Sequence, residues 1–211
     1  MPFVPAIFRA LAADPETLEA AWLQARAIYD DPRASEAGKR LVAAAGSELE
    51  YRAPDSVRRA VAPFRAELPL LLLIVTSLGL SLDGGLPLHT KPAAGLPEPG
   101  LLPESPVAEY PGEHPAYEAI RAVYGTTHVP VMFRALAAEG LLEVAWAGIG
   151  PYLASPQGGA HVALVRTTAE DEARRFPEAA LFRVERARAT LEQFRIALPK
   201  NLVFVTAAGP A

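Results

Sequence analysis

The sequence predicts an all-α protein in which two tandem helical repeats form one pseudo-twofold domain, as in a fused homodimer. The phrase VPAIFRALAA begins at Val4 and returns as VPVMFRALAA at Val129, with eight of ten positions identical. Apolar residues recur at helical spacing in both copies. A segment rich in proline and glycine separates the copies and disfavours long helices or internal strands there. Together these observations favour helices packed in two equivalent halves.

The repeat extends well beyond this phrase. DPETLEAAW in the first copy corresponds to EGLLEVAW in the second, which aligns Trp22 with Trp146. Further along, FRAELPLLLLIVT from Phe64 corresponds to FRIALPKNLVFVT from Phe194. Because ligand pockets often form where two such halves meet, the seam between the repeats is the first candidate site. The order of the motifs predicts a first helical repeat at 1–82, a Pro/Gly-rich linker at 83–113 and a second helical repeat at 114–211.

Each helix is predicted from a local pattern. Asp14 followed by Pro15 is typical of an N-cap and a first helical position, so a helix is expected to begin there. The segment NLVFVTA has β propensity, but its helical surroundings favour a helix. The first helix of each repeat carries an apolar stripe, formed by Val4, Ile7, Phe8 and Leu11 and by Val129, Met132, Phe133 and Leu136. Further helices are expected near 35–51, 55–67, 69–82, 115–124 and 167–198, with a break near Pro177.

Composition excludes several classes of function. The net charge is −4 and the sequence pI is about 5.6, so there is no basic footprint for nucleic acid. The chain has no cysteine and its four histidines lack metal-binding spacing, so we expect no metal or other cofactor. The most apolar run, Pro69 to Leu82, is shorter than the ~20 residues that span a bilayer. We therefore expect a buried core helix and, without a secretory signal pattern, a soluble cytoplasmic protein with no membrane partner.

The pattern VPxxFRALAxxPxxLExAW, then FRxxLPxxLLxxT, then a Pro/Gly-rich crossing and a second copy covers nearly the whole chain. It is similar to the group I (DehI-type) 2-haloacid dehalogenase family, within the wider AhpD-like fold. The resemblance implies an all-α pseudo-dimer whose active site lies between the repeats. It also implies hydrolysis of short 2-halo acids without a covalent intermediate, in which an Asp activates water and an Asn assists.

The chain departs from this family pattern at both functional positions. The resemblance places the family's Asp at Met132 and its Asn at Leu68, so two expected substrate-binding positions are apolar. Neither side chain can take a proton from water, which implies altered or lost hydrolytic activity. Met132 also suits the core on its apolar stripe. The sequence therefore leaves open whether the protein is an enzyme.

Polar residues near these positions are candidates for a surviving site. Glu67 and His128 are the candidate bases, with an exposed helical Glu and a capping or surface His as the alternatives. Arg134 and its counterpart Arg9 are candidates for holding a ligand carboxylate; the alternative is that they pair with a nearby Glu. Hydrogen-bonding candidates for a ligand are Tyr124, Thr126 and Thr127, whose alternative is an ordinary loop and N-cap.

Three hypotheses for function follow. The first is a dehalogenase-like hydrolase with altered chemistry. The second is a non-catalytic scaffold for ligand binding or oligomerisation. Both are compatible with a small carboxylic acid ligand and with a homodimer. The third treats PEPGLLPESP, residues 97–106, as a polyproline ligand for a partner, although a structural bridge is the alternative for that segment.

Overall fold

The computed structural model describes residues 6–46, 51–84, 108–176 and 185–209. Over these ranges the chain forms α-helices, one 3-10 turn and loops, without β-strands, which confirms the all-α prediction. The first half contains α1 (Ala6–Leu11), α2 (Pro15–Tyr29), α3 (Arg33–Ala45) and α4 (Asp55–Leu82). The second half contains α5 (Ala116–Tyr124), α6 (Val131–Ala138), α7 (Leu142–Leu153), α8 (Pro156–Ala173), the 3-10 turn (Glu185–Ala187) and α9 (Arg188–Ala207).

The centre of the protein is the contact between the two long helices, α4 and α9. Every residue of α4 from Leu71 to Ser81 is buried, so this stretch is covered on all sides rather than along one stripe. By length and composition α4 is the one helix of the described ranges that could cross a membrane, but 67% of its apolar 18-residue window is buried inside the protein. This burial favours the predicted core helix. The cytoplasmic location stays a prediction.

The repeated phrase serves packing in both halves. In α1 it buries Ile7, Phe8 and Leu11, and in α6 it buries Met132, Phe133 and Leu136. The Phe8 ring packs edge-on against Trp22 with centroids 5.9 Å apart, and the Phe133 ring packs edge-on against Trp146 at 5.6 Å. Val4 of the predicted stripe lies outside the described residues. The pseudo-twofold relation between the halves stays a prediction that a superposition of the two halves would test. The three segment boundaries also stay predictions.

Two predicted helix boundaries were wrong because of proline. Helices were expected at 55–67 and 69–82, but α4 runs without a break through Pro63 and Pro69. A proline inside a helix removes one backbone hydrogen bond and crowds the preceding turn. Here Pro69 is buried beside Gly38 of α3, and tertiary packing supplies most of the stability of such a helix. Pro199 lies inside α9 in the same manner.

The helix predicted at 167–198 was also wrong. Instead, α8 begins at Pro156 and α9 begins at Arg188, while the expected break at Pro177 lies outside the described residues. The missed signal was a serine before a proline: the Ser155 side chain accepts a hydrogen bond from the Gly158 N–H at 3.0 Å and caps α8. The helix predicted at 35–51 is α3, which ends earlier, at Ala45.

The remaining element predictions agree with the structure. The second helix begins at Pro15, and the helix expected at 115–124 is α5, which ends at Tyr124 and is capped by Gly125 with the positive φ of 66° that glycine permits. NLVFVTA belongs to α9 and is helical. The segment 97–106 lies outside the described residues, and the linker is described only at its ends, 83–84 and 108–113.

A buried carboxylate connects the two halves between α3 and α8. The Glu172 side chain is 4% exposed. It accepts two hydrogen bonds from Arg40, at 2.7 and 2.8 Å, and forms an ion pair with Arg175 at 2.9 Å. The hydrogen bonds from Arg40 hold the pKa of Glu172 below its ordinary value of 4.5. A lowered pKa in the folded state means that this stabilisation is present above that ordinary value and is lost as the pH falls through the lowered one.

Glu172→Gln is therefore expected to reduce the free energy of unfolding by about 1–2 kcal/mol at pH 7, a figure reduced because Arg40 is partly exposed. The difference from wild type should shrink towards pH 3, and urea denaturation at both pH values measures it. Glu170→Gln is the matched control, since Glu170 pairs with Arg174 at 3.7 Å on the surface of the same helix. An equal loss in both variants, or a loss independent of pH, would contradict the assignment.

Candidate functional site

A cavity of about 580 Å³ lies between the two halves. Its walls come from α1, α4, α6 and α9, together with the loop before α6 and the described end of the linker. The α9 residues Thr190, Gln193, Phe194, Ala197 and Asn201 line it at helical spacing, so one face of α9 forms a wall. This volume lies in the range of small-molecule sites.

Two arginines and one glutamate meet at the cavity. The Arg9 Nη2 donates to Glu109 Oε1 at 3.0 Å, and the Arg134 Nε lies 3.4 Å from Glu109 Oε2. That Nε is buried and has no hydrogen-bond acceptor among the described residues. The Tyr110 N–H donates to the Arg134 carbonyl at 3.0 Å, which fixes the linker end beside α6. Both arginine side chains are partly exposed, so this cluster marks the mouth of the cavity.

The buried part of the cavity is mainly apolar. Leu68 is 4% exposed and Met132 is 2% exposed, and both line the cavity. Asn201 is the polar exception at this depth: it is 6% exposed, and its Oδ1 has no hydrogen-bond partner among the described residues. A buried carbonyl oxygen without a donor is costly in a folded protein.

His128 lines the same cavity from the loop before α6. Its ring packs against Phe194 with centroids 5.2 Å apart. Burial lowers the pKa of His128, because a protonated imidazole would lose its hydration there. The ring is therefore neutral at neutral pH and has one nitrogen able to accept a proton. The Thr126 hydroxyl donates to the His128 carbonyl at 2.9 Å and holds this loop.

Four of the residues predicted for the site, Glu67, Tyr124, Thr126 and Thr127, do not line the cavity. Glu67 is half-buried on a face of α4 that does not line the cavity. It lies near Tyr29 instead, because burial and the Glu67 carboxylate raise the pKa of Tyr29 to about 12. Tyr124 is fully buried and packs against Phe133 and Trp146. Thr127 is exposed, and its N–H donates to Gln193 Oε1 at 3.1 Å. Of the predicted set, the structure brings together the five residues Arg9, Leu68, His128, Met132 and Arg134.

Solved structures with the same architecture are D-2-haloacid dehalogenases. One, in complex with L-LA, has a TM-score of 0.66 at 18% identity over 99% of this chain and 86% of its own. A mutant in complex with D-2-CPA has a TM-score of 0.65 at 18% identity, with the same coverage. A further mutant reaches 0.69 at 17% identity over 98% of this chain and 85% of its own. The fold is that of the D-2-haloacid dehalogenases. No family model and no curated protein matches the chain.

Asn201 and Glu109 are among the cavity residues that were not predicted from the sequence. Asn201 had a readable signal, because the alignment of the two FR motifs places it opposite Leu71, making it the one amide within an apolar stripe. Glu109 had none, since it stands in a proline-rich stretch without periodicity. In the part of the chain that the structure describes, no three His, Asp or Glu side chains come together as a metal site.

Proposed function

We propose that this protein binds a small carboxylic acid in the cavity between its halves and has lost the hydrolytic step of the dehalogenases whose fold it shares. The observation that carries the proposal is the Arg9–Glu109–Arg134 cluster. Two guanidinium groups from separate helices already hold one carboxylate at the mouth of the cavity, and both arginine side chains are partly exposed there. A ligand carboxylate can accept charge-assisted hydrogen bonds from the guanidinium N–H groups that Glu109 does not occupy.

The loss of hydrolysis rests on the groups that line the cavity. Displacing a halide with water requires a base that takes the proton, and such a base is worth about 10²- to 10⁴-fold in rate. Met132 and Leu68 stand where the resemblance places the family's Asp and Asn, and neither accepts a proton. The Glu109 carboxylate lies between two guanidinium groups.

A second candidate function has His128 as the base for slow hydrolysis. It is supported by one observation: the ring lines the cavity, and burial favours its neutral form. In that reaction the imidazole would take the proton of water while the water oxygen displaces halide from the carbon next to the carboxylate.

The experiment combines calorimetry with a chloride assay on 2-chloropropionate at pH 7.5. We expect saturable binding, with chloride release no faster than in buffer. Absence of binding would overturn the proposal. Release above the buffer rate that His128→Gln abolishes would establish the second function instead. Glu67→Gln is the matched control; release that depended on Glu67 would restore that residue as the base, although it lies outside the cavity.

A further inference from the structure

A second concave surface lies on the opposite face of α4 from the cavity. This α3–α4 groove has a volume of about 700 Å³ and is lined by α3, α4 and the loop that joins α2 to α3. From α4 it is lined by Arg65 and Pro69, whereas Leu68 and Leu71 line the cavity between the halves. The two concave surfaces share no lining residue, so a ligand in the groove would occupy a separate site.

The second half shows the same arginine with its charge balanced. The alignment of the two FR motifs places Arg65 opposite Arg195. Arg195 forms ion pairs with Asp83 at 2.9 Å and with Glu192 at 3.1 Å. The position aligned with Glu192 is Ala62, and Arg65 forms no hydrogen bond or ion pair with any residue that the structure describes. The first half therefore keeps the cation and lacks that carboxylate.

The other charges of the groove already have partners. Lys39 pairs with Glu36 at 2.6 Å. The two aspartates that line the groove pair with arginines outside it, Asp30 with Arg26 at 3.1 Å and Asp31 with Arg33 at 3.0 Å. Arg65 thus contributes one unbalanced positive charge, which matches a monoanion better than a dianion such as phosphate. A carboxylate is the monoanion whose two oxygens fit the paired N–H groups of a guanidinium.

The rest of the groove suits an apolar chain. Its walls include Ala34 and Val42 of α3, Leu70 of α4 and the ring of Tyr29. Burial, with a nearby carboxylate, raises the pKa of Tyr29 to about 12, so this residue keeps its proton at neutral pH and adds no negative charge. Ala34 and Val42 are eight positions apart, so the α3 wall is about 12 Å long. A wall of this length accommodates an extended acyl chain.

We propose that the α3–α4 groove binds an unbranched monocarboxylic acid of medium chain length, whose carboxylate pairs with Arg65 and whose chain lies between α3 and α4. The site is distinct from the cavity and does not depend on the function proposed for it. The charge fixes the head group at Arg65, and the apolar walls favour a longer chain because each CH₂ group that leaves water contributes to binding.

The test is calorimetry with hexanoate, octanoate and decanoate, with excess 2-chloropropionate present to compete for the cavity. In wild type the affinity should rise about 2- to 4-fold for each added CH₂ group. Arg65→Gln should weaken the binding of octanoate by about 5- to 10-fold, a modest loss because the groove is open to solvent.

Arg59→Gln is the matched control, because Arg59 is an exposed arginine of the same helix that does not line the groove. It makes the same change of charge and should leave octanoate binding unchanged. Arg134→Gln, which alters the cavity, should also leave it unchanged.

The outcomes separate this site from the cavity. If octanoate does not bind, or if Arg65→Gln and Arg59→Gln weaken it equally, the groove site is wrong and the proposed function is unaffected. An affinity that does not rise with chain length also contradicts the groove site, since it indicates a surface ion pair only. If Arg134→Gln removes octanoate binding and Arg65→Gln does not, the acid occupies the cavity; that result overturns the groove site and supports the proposed function.

Discussion

Arg134→Gln should weaken the binding of a small carboxylate by about 10- to 100-fold, the loss expected for charge-assisted hydrogen bonds. Glutamine keeps a donor and much of the side-chain length but removes the charge. Arg134 lines the cavity and pairs with Glu109 at 3.4 Å, so the substitution removes one of the two guanidinium groups that attract a carboxylate. Calorimetry with 2-chloropropionate and lactate at low ionic strength measures the effect, since salt screens such pairs.

Glu109→Gln should act in the opposite direction and tighten carboxylate binding by about 10-fold. The Glu109 carboxylate already pairs with both arginines, so a ligand carboxylate competes with it. Glutamine fills the same space without a charge, so the two guanidinium groups lose the carboxylate that neutralises them. The opposite signs of the two substitutions distinguish a carboxylate site from a general effect on folding.

The matched control is Arg121→Gln, because Arg121 forms a surface ion pair with Glu113 at 3.3 Å and does not line the cavity. It should leave binding unchanged. Equal weakening of carboxylate binding in the Arg121 and Arg134 variants would show a long-range charge effect. Weaker carboxylate binding in Glu109→Gln would show that Glu109 only orients the two arginines. Either result contradicts direct competition for one site.

Gly158→Ala should reduce the free energy of unfolding by about 3 kcal/mol, near the upper end for an overpacked site. A Cβ at this position would lie 2.0 Å from the Tyr152 carbonyl oxygen and 3.0 Å from the Leu153 Cα. Both are backbone atoms at the end of α7, so they cannot move aside as a flexible side chain can. The α7–α8 connection must open, or the Ser155 cap must be lost.

Urea denaturation and the melting temperature measure this effect, and a shift of about 6–12 °C is expected for a chain of this size. Gly159→Ala, one residue further along α8, is the matched control. It should stabilise the protein by up to about 1 kcal/mol through helix propensity. If Gly158→Ala were neutral, the close approach of α8 to Tyr152 would not exist in solution.

Part of the site could be predicted because it lies on the repeated helices. The phrase that begins at Val129 places Met132 and Arg134 on α6, and the FR motif places Leu68 on α4. Helical spacing identifies such residues as neighbours within one element. Helical spacing does not show which face of α4 meets the cavity. The sequence therefore favoured Glu67 as a base, although only its neighbour Leu68 lines the cavity.

The sequence alone determined the all-α class, the start of α2 at Pro15 and the packing role of the repeated phrase, because these depend on patterns within a few helical turns. Tertiary structure decided that α4 continues through Pro69, since the burial of this helix in the protein outweighs the lost backbone bond. It also decided that Glu109 pairs with Arg9, 100 positions earlier in the chain. Such pairs arise from the way the chain folds back on itself, which no local period records.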